Sequence, residues 1–292
     1  MPISSDIVGR TGEPLIHDID AEWIAAYGAS VGDPSLTPGH RGPTVHPLFP
    51  VCFEWPVFLD SRHLPTDLTP GDLFRGVHAT HDLTLHRPIH PGMQVTTTAT
   101  IAAVETRRSG AHQLVRLDTA NDEGAPVATT WFGLIYRGLE VVGGDRSVKG
   151  GGPVLAPVSA DDEFTDIPIP VAADASVNYA EAARIWNPIH TDAAVAEAVG
   201  LPGVILQGTA TLAMAVSRMV EQRFDGDTNR VERVAGRFGA MVLMPSTLTL
   251  RVGPMVDGIL RFEMLTADGA RAIRDGLITM RSPDSGSMAA SA

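Results

Sequence analysis

The feature of the sequence that most constrains its fold is an internal repeat, in which one order of segments occurs twice along the 292 residues. Each half opens with an extended segment and continues with a tyrosine, a run of small residues and a proline. Tyr27 leads to Pro34 in the first half, and Tyr179 leads to Pro188 in the second. An apolar helical segment and then a series of strand-like segments follow in each half. This repetition predicts two units of the same kind in tandem.

Each unit is predicted to consist of one apolar helix and an antiparallel sheet. The helix of the first half is expected within residues 47–58, and that of the second half begins near Asp192 and continues over 207–220. Turns such as Asp257-Gly258 and Asp268-Gly269 separate the β-branched segments. The predicted strands are 77–85, 94–106, 113–121, 125–136, 230–238, 247–256, 259–266 and 270–281. Because a sheet with one buried face needs a cover, and a long apolar helix supplies it, the fold class is α+β.

Glycine and proline mark the boundary between the halves. Gly143-Gly144 and the run from Gly150 to Pro153 have the density that is typical of a linker. The predicted organisation is a first half at 1–145, a linker at 146–162, a second half at 163–282 and a disordered tail at 283–292.

Charge and cysteine content exclude several classes of partner. The formal net charge of −12 argues against a nucleic acid, whose phosphates need a cationic surface. The one cysteine, Cys52, excludes an internal disulfide and a metal site made of several cysteines. No apolar run reaches the roughly 18 residues of a membrane span, and the first residues do not form a secretory signal. A cytoplasmic protein without a membrane partner is therefore expected.

Four histidines in the first half, His78, His81, His86 and His90, raise the question of a metal site. On a regular strand, His78 and His81 point to opposite faces, and no cysteine supports them. The sequence therefore predicts neither a metal site nor a cofactor.

The stretch from Tyr179 to His190 contains the most reactive side chains of the second half. Because Pro188 disfavours a helical conformation before it and favours a helix start, Asn187 is expected to cap a helix that begins there. His190 then lies in the first turn, beside free backbone N–H groups that favour neutral imidazole. Neutral imidazole can accept a proton from water, so His190 is the strongest acid–base candidate. Asn187 can cap the helix and orient substrate or water as well.

This stretch resembles the signature of the MaoC-like dehydratases, the (R)-specific enoyl-CoA hydratase family. The signature consists of an aromatic residue, small residues, Gly-Asp, any residue, Asn-Pro, an aliphatic residue and His. The residues that fit are Tyr179, Asn187, Pro188, Ile189 and His190, whereas Arg184 and Ile185 stand at the Gly-Asp positions. The resemblance implies a tandem, or double, hot-dog fold, in which each sheet wraps a central helix and the acyl chain enters between the halves.

The resemblance also implies the roles of individual residues. In the family, the aspartate and the histidine hold a water that adds across an enoyl thioester, and a glycine N–H binds the thioester oxygen. The expected catalytic residues are His190, Asn187 and Gly208, and the expected substrate-binding residues are Arg184, Trp186 and Gln207. The first half is expected to be a modified, non-catalytic unit that helps to form the acyl pocket. A homodimer is one assembly open to such a chain.

An isoleucine can neither orient nor deprotonate water, so Ile185 leaves the source of the second reactive group open. Glu181 shares a face with Ile185 if the run between them is helical. Arg184 carries a positive charge that can bind a substrate carboxylate or a coenzyme A phosphate. Asp33 occupies the repeat-equivalent position, but the twofold repeat is expected to place it away from His190.

Three hypotheses on function follow. The preferred one is a hydro-lyase of fatty acid metabolism that adds or removes water at a 2-enoyl- or 3-hydroxyacyl thioester of coenzyme A or an acyl carrier, by a variant mechanism. The second is another thioester lyase acting through Arg184, or a thioesterase acting through Glu54, although Glu54 is expected at the exposed edge of its helix. The third is a non-catalytic acyl-CoA-binding subunit. The first is preferred because His190, Asn187 and Gly208 all persist.

Overall fold

The computed structural model describes residues 2–36, 45–64, 68–158 and 163–281, which form helices and strands in the repeated order. The helices are α1 (Ala21–Ser30), α2 (Pro50–Ser61), α3 (Pro70–Leu73), α4 (Ala175–Ala183), α5 (Ala193–Ala198) and α6 (Gly208–Arg223). The strands of the first half are β1 (Ile3–Ser4), β2 (Leu15–Asp18), β3 (Gly76–Leu85), β4 (Gln94–Arg107), β5 (Gly110–Asn121), β6 (Pro126–Arg137), β7 (Val141–Val142) and β8 (Arg146–Ser147). Those of the second half are β9 (Thr165–Val171), β10 (Val231–Phe238), β11 (Ser246–Val256), β12 (Ile259–Leu265) and β13 (Arg271–Met280).

Within the described residues, eleven strands form one sheet that runs through both halves. Its order is β2-β4-β5-β6-β3-β10-β13-β12-β11-β9, with β8 added to β4, and β1 and β7 form a separate parallel pair. The halves meet where β3 pairs antiparallel with β10, with His81 opposite Gly236 and Asp82 opposite Ala235. The strand order on one side of this junction mirrors the order on the other. The predicted double hot-dog architecture is confirmed, with β3 and β10 as its central strands.

The two long helices, α2 and α6, are the centres of the two units because their sequences are apolar on nearly every side. Phe49, Phe53 and Phe58 of the α2 region are almost fully buried, as are Leu212 and Val216 of α6. A helix that is hydrophobic all round belongs in a core, and both helices share one cluster of buried side chains. The wrapped helices therefore hold the halves together on the inner face of the sheet.

The strand predictions agree closely with the structure because tight turns mark their ends. Gly258 and Gly269 adopt the positive φ values of +73° and +81° that the two predicted hairpin turns require.

The helix predicted to begin at Pro188 is only a short 3₁₀ segment, Pro188–His190, and α5 starts later behind the cap Asp192. The predicted second-half helix is also interrupted, because Gly200, with φ +81°, follows the end of α5 and Pro202 cannot donate a backbone hydrogen bond.

The segment predicted as a linker is in contact with both halves as far as residue 158. Its first residues form β8, which pairs with β4. Leu155 is buried against Ala235 and Leu277 of the second half. Residues 159–162 and the predicted tail at 283–292 lie outside the described residues. Among residues 2–36, 45–64, 68–158 and 163–281, no helix has the length and apolarity needed to cross a lipid bilayer.

Candidate active site

One large cavity of about 1550 Å³ is lined by residues of both halves. The first half contributes residues of α2 and β3, including Glu54, His78 and His81. The second half contributes Asn187 and His190, together with the first residues of α6. A volume above the roughly 300–1,000 Å³ of ordinary small-molecule sites suits a long ligand.

The segment between α4 and α5 presents Asn187 and His190 to this cavity. Helix α4 ends at Arg184, whose left-handed conformation (φ 57°) turns the chain away from the helix axis. The Asn187 side chain then accepts a hydrogen bond from the backbone N–H of Ile189 at 3.4 Å and caps the 3₁₀ segment. Because this cap uses only the side-chain oxygen, the Asn187 amide group retains its N–H donors for a ligand.

The hydrogen bond of His190 fixes its tautomer. Its Nδ1 lies 2.8 Å from the carbonyl oxygen of Ile205. A carbonyl can only accept, so Nδ1 carries the proton and Nε2 carries the free electron pair. Burial lowers the pKa of His190 below its usual value, and the bond to the Ile205 carbonyl opposes this only in part. His190 is therefore a neutral base at neutral pH.

The first turn of α6 supplies backbone donors to the cavity that His190 lines. Gly208 and Thr209 are the first residues of α6, and N–H groups at that position have no acceptor within the helix. A Cβ added to Gly208 would lie 3.1 Å from a ring carbon of Phe238, so a larger residue would crowd the wall of the cavity. The Tyr179 hydroxyl donates to the Thr209 hydroxyl at 2.9 Å and fixes this turn from behind. The arrangement can hold a developing negative charge on oxygen.

Gln207 and Trp186 also line the cavity, in different environments. Gln207 is buried, and its amide nitrogen donates to the carbonyl oxygen of Ser176 at 2.9 Å. Its side-chain oxygen has no partner among the described residues. Trp186 is 58% exposed at the cavity, whereas its neighbour Ile185 is buried. An apolar side chain in the cavity wall thus fills the position at which the signature that this stretch resembles has an aspartate.

Arg184 does not line the cavity, which corrects the expectation that it binds substrate there. Its guanidinium lies over the ring of Trp23, 4.0 Å from the ring centre, and 3.7 Å from a carboxylate oxygen of Asp20. The left-handed turn that ends α4 directs this side chain toward α1. The left-handed conformation of Arg184 has no signal in the sequence, so the expectation treated this residue as part of the motif.

The two carboxylates considered as substitutes for the missing aspartate are also elsewhere. Glu181 is exposed, and because α4 ends at Ala183, it does not share a helical face with Ile185. Asp33 accepts a hydrogen bond from the backbone N–H of Ser35 at 2.9 Å in the first half. Neither residue lines the cavity.

Glu54 contradicts the expectation of an exposed carboxylate. It is 2% exposed and lines the cavity, and the Thr130 hydroxyl donates to one of its oxygens at 2.7 Å. Burial raises the pKa of Glu54 to about 8, while the bond from Thr130 acts in the opposite direction. The expectation was wrong because Glu54 shares a helical face with Val51 and Phe58, and this face of α2 points to the cavity rather than to solvent.

The histidines of β3 form a second unexpected feature. The pairing of β3 with β6 shifts register between His78 and Thr80, and this bulge brings His78 and His81 together. Their ring centres are 5.5 Å apart, so the expectation of opposite faces was wrong. His81 is fully buried and His78 is partly buried, and burial lowers the pKa of both, that of His81 to about 4. Among the described residues, no group of three or more histidine, cysteine or acidic side chains is arranged to hold a metal ion.

A group of arginines lines the cavity, and sequence reasoning missed it because the net charge of −12 conceals it. These arginines, from β4 and the turn that follows it, β6, β10 and β13, are Arg107, Arg108, Arg137, Arg237 and Arg274. Arg237 is paired with Asp275 at 3.0 Å, whereas Arg108, Arg137 and Arg274 are exposed. The cavity therefore combines an apolar interior with cationic groups suited to phosphate.

Comparisons with known proteins agree with the repeat. A family model described as MaoC like domain matches residues 158–261, and a model described as FAS1-like, dehydratase domain region matches residues 16–130. The two matches fall on the second and the first half.

Two curated relatives and one solved structure extend the comparison. The chain is 24% identical to 3-hydroxyacyl-thioester dehydratase Y of Mycobacterium tuberculosis, over 93% of this chain and 95% of that protein. It is 25% identical to Enoyl-CoA hydratase ChsH3 of the same organism, over 64% of this chain and 65% of that protein. A crystal structure of a MaoC-like dehydratase from Phytophthora capsici superposes with a TM-score of 0.84 at 18% identity, covering 96% of this chain and 97% of that one. At this identity the structural match establishes a shared fold.

Proposed function

Because the chain is a double hot-dog protein with a MaoC-like domain in its second half and a FAS1-like dehydratase region in its first, we propose that it is a hydro-lyase. The proposed reaction is the addition of water to a 2-enoyl-CoA, or its removal from a 3-hydroxyacyl-CoA. The observation that carries the proposal is the neutral His190, whose Nε2 is free while its Nδ1 donates to the Ile205 carbonyl beside the start of α6. The names of the two curated relatives support the same substrate class.

The proposed mechanism gives each residue of the second half one role. His190 takes a proton from water at Nε2, and the water oxygen bonds to C3 of the enoyl group. The electrons of the double bond move onto the thioester oxygen, where the free N–H groups of Gly208 and Thr209 stabilise the enolate. Asn187, with its amide donors unused by the cap, orients the water or the thioester. Gln207 and Trp186 are assigned to the wall that contacts the acyl group.

Coenzyme A is proposed as the carrier because of the arginines around the cavity. Its diphosphate and 3′-phosphate need cations, and Arg108, Arg137 and Arg274 are exposed cations at this cavity. The first half then contributes to binding through β4, β6 and the turn after β4. An acyl carrier protein is the alternative carrier. Comparison of a coenzyme A thioester with the corresponding pantetheine thioester, which lacks the diphosphate, tests the assignment.

The proposed function is tested by following the loss of the enoyl double bond of crotonyl-CoA and of a branched enoyl-CoA. The wild type is expected to hydrate one of them, and His190→Ala is expected to lower the rate by roughly 10²–10⁴ through loss of the general base. His90→Ala is the matched control, since His90 is exposed and does not line the cavity. Tight thioester binding without hydration by the wild type would contradict the proposal and favour a binding subunit.

Thioester hydrolysis is the second candidate function, and the buried Glu54 in the cavity is the observation in its favour. Hydrolysis releases a free thiol, whereas hydration leaves the thioester intact. A thiol reagent added to the same assay therefore separates the two reactions. If coenzyme A is released at the rate of substrate loss and Glu54→Gln abolishes this release, the reaction is hydrolysis and not hydration.

A further inference from the structure

The first half presents its own carboxyl group to the cavity that contains His190. Val51, Glu54 and Phe58 lie on one face of α2, and all three line the cavity. In the second half, Ile185 lines the same cavity where the family has a carboxylate. The first half thus contributes a carboxyl group, that of Glu54, to the cavity in which the second half has the apolar Ile185.

A continuous series of rings connects the Glu54 face of α2 to the start of α6. The ring of Phe58, one turn after Glu54, stacks on Phe132 with ring centres 4.1 Å apart. Phe132 stacks in turn on His78 at 3.6 Å, and His78 lies 4.6 Å from Phe238. Phe238 is the ring that crowds the Cβ position of Gly208. Both ends of this ring series, the Glu54 face of α2 and the start of α6, line the one cavity.

The side chain of His81 indicates that the polar part of a ligand occupies this region. Leu83 is opposite Thr130 and His81 is opposite Phe132, so His81 is the diagonal neighbour of the threonine that holds Glu54. Such neighbours are about 7–8 Å apart between Cα atoms. His81 is fully buried, and neither ring nitrogen has a partner among the described residues. Because buried polar groups almost always find a partner, we expect the thioester end of the substrate here, and not the alkyl chain.

We propose that Glu54 is the proton donor of the hydration reaction and supplies from the first half the acid that Ile185 cannot provide. This inference rests on the proposed hydro-lyase function and names a further catalytic residue for it.

In hydration, the enoyl group gains the oxygen and both hydrogens of one water molecule. His190 Nε2 takes one proton from water while the oxygen bonds to C3. The former double-bond electrons, held as the enolate, then form a C–H bond at C2 with the proton of the Glu54 carboxyl group. His190 is left as imidazolium and Glu54 as carboxylate. Transfer of the proton from the imidazolium to the carboxylate, directly or through solvent, restores both groups, and dehydration is the reverse.

The environments of the two groups suit these opposite roles. Burial raises the pKa of Glu54 to about 8, so its carboxyl group is protonated at neutral pH. Burial lowers the pKa of His190, so its imidazole is unprotonated there. The groups that act on Glu54 are the Thr130 hydroxyl, which lowers its pKa, and the Asp118 carboxylate, which raises it. A pair whose pKa values are displaced in opposite directions is the usual arrangement of an acid and a base.

The test is Glu54→Gln, assayed by hydration of crotonyl-CoA beside the matched control Glu181→Gln. Glutamine keeps the shape and, like the protonated acid, is uncharged, so it can still accept the Thr130 bond but has no acidic proton to give. We expect kcat to fall by roughly 10²–10⁴ with KM changed less than about threefold. Glu181 is exposed and outside the cavity, and its substitution is expected to leave kcat unchanged.

The pH profile supplies a readout that a structural role of Glu54 would not change. In the wild type, kcat is expected to fall above about pH 8, where the carboxyl group loses its proton, and this limb is expected to be absent from Glu54→Gln. If His190→Ala loses hydration but Glu54→Gln keeps a kcat within threefold of wild type, the inference is overturned and the proposed function stays intact. If the wild type does not hydrate either substrate, the proposed function itself fails. Thermal unfolding of each variant shows whether a lost activity reflects a lost fold.

Discussion

At the scale of single residues, Gly208 is constrained by space as well as by its proposed function. A methyl group there would lie 3.1 Å from the ring of Phe238, so the ring or the helix start must shift by a few tenths of an ångström. Gly208→Ala is therefore expected to lower kcat for hydration about tenfold, because displaced donors stabilise the enolate less well. The double variant with Phe238→Leu is expected to recover most of the loss. Unchanged kcat in Gly208→Ala would contradict the proposed position of the thioester oxygen.

Single residues also differ in how far the sequence reveals their place. The cap at Asn187 and the start of α6 at Gly208 follow from local chemistry, and the sequence predicts both, although their roles stay predictions. The burial of Glu54 depends on which face of α2 meets the cavity, and a helix that is apolar nearly all round gives no such signal. The place of Arg184 depends on one left-handed residue. These positions are fixed by tertiary packing.

At the scale of elements, the β3–β10 junction depends on one ion pair as well as on backbone bonds. Arg233 of β10 donates two hydrogen bonds to the Asp82 carboxylate, at 2.8 and 2.6 Å, and Asp82 is 4% exposed. Asp82→Ala leaves the half-buried Arg233 unpaired and is expected to cost about 2–3 kcal/mol in the free energy of unfolding. Glu221→Ala, which breaks the exposed pair with Arg218, is the control and is expected to cost less than about 1 kcal/mol. Urea unfolding measures both, and equal costs would contradict a special role of the junction pair.

The elements themselves were predictable where turns mark them and unpredictable where a strand is irregular. The hairpin glycines gave the strand ends to within a few residues, because only a few sequences allow a tight turn. The sequence contains no signal for the bulge near Ala79, since inserting one residue into a strand leaves the apolar and β-branched composition unchanged. This irregularity is what brings His78 and His81 together.

For the whole molecule, the buried ionisable groups predict a stability maximum near pH 6.5. Burial lowers the pKa of His46 and His81 from 6.5 to about 4, so the stability associated with each is complete above pH 6.5 and is lost as the pH falls toward 4. Burial raises the pKa of Glu54 from 4.5 to about 8, so its contribution has the opposite sign and is lost as the pH rises from 4.5 to 8. Burial also lowers the pKa of His78 and His190, so unfolding takes up protons at several histidines on the acid side and releases one at Glu54 on the alkaline side.

The fall in stability above pH 6.5 provides the sharper test, because Glu54 dominates it. Between pH 6.5 and 8 the contribution of these histidines is constant, and the ionisation of Glu54 is expected to lower the free energy of unfolding by about 2 kcal/mol, at about 1.4 kcal/mol per pH unit. Glu54→Gln cannot lose a proton, so its free energy of unfolding is expected to stay level over this range while its acid limb is unchanged. Urea unfolding at half-unit pH steps measures both curves. Parallel curves for wild type and Glu54→Gln above pH 6.5 would mean that Glu54 is ionised in the folded protein, and the carboxyl group would then have no proton to donate to a substrate at neutral pH.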